Sequence, residues 1–100
     1  NSVANDTPFD MAEMQSACRI VAKIMCEIPV AGNGSYMAAL QKFAQAGDDD
    51  NVWTDRTSLL QMQTMFLIQR SKSEFRELFS DSEKPGFKAN AMLRNYLSRI

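Results

Sequence analysis

The side chains able to do chemistry in this chain are two cysteines, twelve carboxylates and the hydroxyls, with no histidine among its 100 residues. Without histidine the commonest general base is missing, together with every Ser-His or Cys-His nucleophile pair and the favoured zinc ligand. Cys18 and Cys26 do not make a zinc site by themselves. A reactive Cys18 needs a base or a cation against its sulfur, and its neighbours Arg19 and Lys23 belong to the outward face of their helix. Asp48, Asp49, Asp50 and Asp55 could take a hard cation such as calcium or magnesium. The alternating ligand spacing and internal glycine of a calcium loop are missing, and a solvated capping loop is the simpler reading. Gly32-Asn33-Gly34-Ser35 has the outline of a phosphate loop, but no lysine follows and no strand precedes it, so it reads as a turn and an N-cap. The expectation is a protein without catalytic residues, cofactor or metal, and so not an enzyme.

The elements that position these residues read as helices throughout. After a polar tail over residues 1–6, Thr7 is expected to cap the first helix, with Pro8 at its first position and Asp10 in its first turn. Met14, Cys18, Val21, Ile24, Met25 and Ile28 recur at steps of three and four, one face of an amphipathic helix that Pro29 ends. Eight residues of helix set Cys18 and Cys26 about 12 Å apart, too far for a disulfide. Val30 to Gly34 is a loop. Ser35 can cap a second helix with Tyr36, Met37, Leu40, Phe43 and Ala44 buried, and Gly47 sits where a left-handed C-cap residue belongs.

Residues 51–79 form the stretch around which the rest is arranged in this reading. Leu59, Leu60, Met62, Met65, Phe66, Leu67 and Ile68 cover most of a helix circumference, so other helices are expected on all sides of it. A single helix of that length measures about 42 Å, and Ser71-Lys72-Ser73 is the place for a break. Asp48, Asp49 and Asp50 favour the positive N-terminal end of this helix. After a loop over residues 80–86, a last helix over 87–100 buries Ala89, Met92, Leu93, Tyr96, Leu97 and Ile100, with Phe87 suited to the same face. The fold class is all-α: a compact bundle of four helices, or five if the third breaks, around a long third helix. One domain over residues 7–100 holds it, with a core drawn from Val21, Ile24, Ile28, Leu40, Phe43, Leu59, Met62, Phe66, Phe75, Leu93, Tyr96 and Leu97.

Charge is divided between the halves. Residues 1–55 carry eight acids against three bases, and residues 56–100 eight bases against four acids, so −5 faces +4 within a net charge of −1. The bases Arg70, Arg76, Lys84, Lys88, Arg94 and Arg99 could line up for phosphates, which makes nucleic-acid binding the alternative function. Glu74, Glu77, Asp81 and Glu83 are interleaved among them. Seven methionines allow a second alternative, a carrier of apolar ligands, although methionine at helical spacing is ordinary core material. No apolar run spans a bilayer. Small core cysteines fit a reducing compartment, and the sequons at Asn5 and Asn33 are what chance supplies.

The function expected is protein–protein interaction or self-assembly, with another protein or further copies of the chain as partner. Asp48, Asp49, Asp50 and Trp53 at one end, and Lys84, Lys88, Arg94 and Arg99 at the other, are the candidate contact residues. Oppositely charged ends could join head to tail, with Trp53 and Ile100 supplying apolar affinity. Neutralisation of one half by the other inside a monomer is the competing arrangement.

Overall fold

Asp10 is the residue that starts the first helix. Its backbone is extended and its carboxylate accepts the amide of Glu13 at 3.2 Å, so the acid expected inside the first turn is the cap itself. The computed structural model describes residues 10–27, 34–69 and 71–98, less the side chains of Ser35 and Tyr36. Expectations that rest on residues 1–9, on Ile28, Pro29 and the turn up to Asn33, and on Arg70, Arg99 and Ile100 lie outside the described residues. Among the described residues there are five α-helices and no strand: α1 (Met11–Cys26), α2 (Gly34–Gln45), α3 (Arg56–Gln69), α4 (Ser73–Leu78) and α5 (Pro85–Leu97). A single 3₁₀ turn, Asn51–Trp53, precedes α3.

The stretch from 51 to 79 is therefore not one long helix, and local hydrogen bonds show why. Asp50 accepts the amide of Val52 to start the 3₁₀ turn, whose end is closed by the Thr54 hydroxyl on the Asn51 carbonyl. Asp55 then starts afresh: its carboxylate accepts the Thr57 amide and the Ser58 hydroxyl, and its carbonyl takes the Leu59 amide. At the far end the Ser71 hydroxyl donates to the Ile68 carbonyl at 2.6 Å, and Lys72, extended, opens α4. Serine and aspartate side chains satisfy the backbone at both breaks, and α3 is left with 14 residues against 16 for α1.

The core gathers around α1 rather than α3. α1 packs along both α2 and α5, whereas α3 meets mainly the 3₁₀ turn and α2. α1 and α5 run antiparallel: the Tyr96 hydroxyl donates to Glu13 at 2.8 Å near one end, and Gly86 lies against Ile24 near the other. Met14, Cys18, Val21 and Met25 of α1 are fully covered, with Leu40 and Phe43 of α2, Met62 and Phe66 of α3, Phe75 of α4 and Leu93 of α5. Each large apolar side chain buried in this way contributes about 1.5–3 kcal/mol of transfer free energy. Pro85, expected in a loop, is the first residue of α5, where its missing N–H costs no hydrogen bond. Gly47 does not take the left-handed conformation expected of it. Its carbonyl instead accepts the Asp50 amide and the Trp53 indole.

Candidate interaction surface

Of the expected contact residues at the acidic end, Trp53 is withdrawn from the surface. It is 1% exposed, its indole N–H donates to the Gly47 carbonyl at 2.7 Å, and it meets the Phe43 ring edge-on at 5.8 Å. Arg19 closes over it. The guanidinium carbon lies 5.2 Å from the centre of the Trp53 ring, Nε donates to the Ala46 carbonyl at 2.7 Å, and Nη2 pairs with Asp48. Gln15, buried on α1, reaches the Asp48 carbonyl at 3.4 Å. The acidic loop is thus latched onto α1, and Trp53 serves the fold. Asp48, Asp49 and Asp50 remain exposed, Asp48 ion-paired and Asp50 capping the 3₁₀ turn. That salt bridge, the one found among the described residues, joins two members of the acidic half; it does not neutralise one half with the other.

The basic residues of α5 do not form one stripe. Lys84, Lys88 and Arg94 are all exposed, but Lys88 borders a groove against α1 and Arg94 a groove against α3. The α1–α5 groove, about 270 Å³, is floored by Ala17 and Ala89 and flanked by Ile20 and Met92. Phe87, expected in the core, is 41% exposed.

The surroundings of both thiols disfavour the thiolate. Both cysteines are free; burial pushes the Cys18 thiol up to about 12 against the lowering influence of Arg19, and desolvation raises Cys26. Among the described residues no three cysteine or carboxylate side chains converge as metal ligands would. No helix there is long and apolar enough to cross a membrane.

α3 supplies the surface that the sequence reading missed. Its circumference is apolar as expected, but among the described residues one side has no helix over it. Leu60, Leu67 and Ile68 are 37%, 47% and 53% exposed, and Thr57, Gln61 and Thr64 complete the same face. From Thr57 to Gln69 there is no charged residue at all. The Thr64 hydroxyl donates to the Leu60 carbonyl at 3.0 Å, so this residue presents its methyl group with its donor already satisfied. On the α5 side, Gln63 donates to the Leu97 carbonyl at 2.6 Å, and a groove of about 240 Å³ opens between Leu67, Phe66, Leu97 and Arg94. The sequence signal that could have found this face was the want of charge on every side of the helix. An uncharged solvent face is unusual, because charges are what keep surfaces from associating.

Comparison of the chain with protein-family models, with curated proteins and with solved structures finds no match.

Proposed function

We propose that this chain is a non-catalytic helical module for protein–protein interaction, and that the open face of α3 is where it docks. The observation that supports this is the exposure of Leu60, Leu67 and Ile68 on about three turns of helix without a charge. Interface cores are depleted of charge and enriched in side chains that can be covered at no polar cost. The Thr64 hydroxyl, bonded within its own helix, meets that condition. This moves the contact surface from the acidic and basic ends to the side of the molecule, since Trp53, the apolar anchor expected at the acidic end, is buried.

A photo-crosslinking residue in place of Gln61 tests the reading. In cells that express the protein, it should capture protein, and the pair Leu67→Glu and Ile68→Lys should remove that capture. Both residues are exposed, so the melting temperature should stay within about 3 °C. Equal capture with and without the pair would rule the α3 face out.

A further inference from the structure

We infer that the groove between α3 and α5 receives an acidic amphipathic helix of a different protein, seated on Leu67 with a carboxylate against Arg94. The inference rests on the reading of α3 as the docking surface and names the chemistry of what docks.

The groove fits a helix rather than a strand. α3 packs mainly on the 3₁₀ turn and α2, and a hydrogen bond from Gln63 to the Leu97 carbonyl bridges the gap to α5. Phe66 and Leu97 form the floor, and Leu67 stands 47% exposed at the rim. Leu60, two turns earlier, extends the same edge of α3. α3 keeps its backbone groups for its own helical bonds, so an extended peptide finds no main-chain partners here. A helix instead offers side chains at matching steps of three and four.

The polar groups of the groove call for an anion. Gln63 is committed to Leu97, and the Ser98 hydroxyl to the Asn95 carbonyl at 2.7 Å. Arg94 is different. Among the described residues it is the one charged side chain lining the groove, it is exposed, and its guanidinium has no hydrogen bond or ion pair with any of them. Arg56, also exposed, stands one turn before Leu60 on the same edge of α3. Nearby acids do not offset these bases. Asp55 is bonded to Ser58 and Thr57 on the covered side, and Glu74 lies beyond the far end of α3. Arginine presents paired N–H donors to a carboxylate, so an acid beside an apolar stripe is what the groove matches. A second copy matches less well, because antiparallel pairing about Thr64 would bring Arg56 against Lys72.

The area limits the strength. A helix lying here touches both walls, yet the total stays under roughly 1,200 Å², the range of weak and transient encounters. The dissociation constant expected is on the order of 100 µM.

The test uses the full chain and two synthetic helical peptides, each about 15 residues long with leucine at steps of three and four. One carries glutamate beside the leucines, and its twin carries lysine at the same positions. By fluorescence anisotropy the glutamate peptide should bind at least about fivefold more tightly than its twin, with the difference shrinking in high salt. Arg94→Glu should reverse the preference, and Leu67→Glu should weaken binding of both peptides. Both residues are exposed, so melting temperatures should stay within about 3 °C of wild type. No binding of the glutamate peptide, twins that bind alike, or a preference that Arg94→Glu leaves as it was overturns the proposal. A wild-type dimer that Leu67→Glu dissolves overturns it in favour of a second copy. Co-sedimentation with phosphatidylserine vesicles that Leu67→Glu abolishes overturns it in favour of a bilayer. If the peptides fail while the residue at position 61 still captures a protein, the docking face stands; if it captures nothing, both fail.

Discussion

Arg19 holds three partners at once, and each uses a different property of the guanidinium. Its central carbon lies over the Trp53 ring, Nε reaches the Ala46 carbonyl, and Nη2 reaches Asp48. Lysine has the charge without the planar fork, so it cannot serve all three from one position. Arg19→Lys is expected to lower stability by about 1–2 kcal/mol in urea unfolding, through the carbonyl bond and the ring contact. Asp48→Asn should cost well under about 1 kcal/mol, because the Asp48 side chain is 79% exposed and its ion pair is largely solvated. Equal losses from the two changes would mean that the ion pair, not the ring and carbonyl contacts, holds the loop.

At the scale of the element, α3 owes its start to Asp55. The Ser58 hydroxyl donates to its carboxylate at 2.6 Å, Lys42 of α2 donates to Ser58 Oγ at 3.2 Å, and the Thr57 amide completes the cap. The Ser58 bond is the main cause that holds the Asp55 carboxyl below its ordinary 3.8. A carboxyl lowered by folding adds stability above its unfolded value and loses it as the pH falls through its folded one. Asp55→Ala should therefore depress the melting temperature most near neutral pH, and the gap from wild type should close as the pH drops below about 3.8. A gap that stays constant from pH 7 to pH 3 would show that the charged cap contributes nothing to α3.

For the whole molecule, α5 lies tight against the end of α1 at Gly86. A Cβ on Gly86 would stand 2.6 Å from Ile24 Cδ1 and 3.4 Å from the Leu78 carbonyl. Two effects oppose each other there: alanine is the better helix former by up to about 1 kcal/mol, and the added methyl overpacks the contact. Ile24→Val deletes the Cδ1 atom that the methyl would strike. Gly86→Ala should then be more favourable in the Ile24→Val background than in wild type, by about 1 kcal/mol in a double-mutant cycle. Strict additivity would show that α1 and α5 adjust without strain, and that Gly86 is not what sets their spacing.

The sequence by itself determined the helical class, the approximate course of the helices, and most of the side chains they bury, but not the residues at which α1, α3 and α5 start. Those signals are local: Val21, Leu40, Phe43, Met62, Phe66, Phe75, Leu93, Tyr96 and Leu97 recur at helical spacing, and all are buried. Ser71-Lys72-Ser73 marked a break that the hydrogen bond from Ser71 to Ile68 makes definite. The tertiary structure alone decided which helix is central and which apolar residues have company. α3 is apolar all round, and periodicity has no means of telling a covered side from an open one when both carry leucine and isoleucine. Trp53 lay beside three aspartates and looked like an exposed anchor. It is buried because Arg19, 34 positions away in the chain, folds over it and takes Ala46 and Asp48 with it. Contacts of that sequence separation leave no mark on local pattern, so they become visible only when the chain has closed on itself.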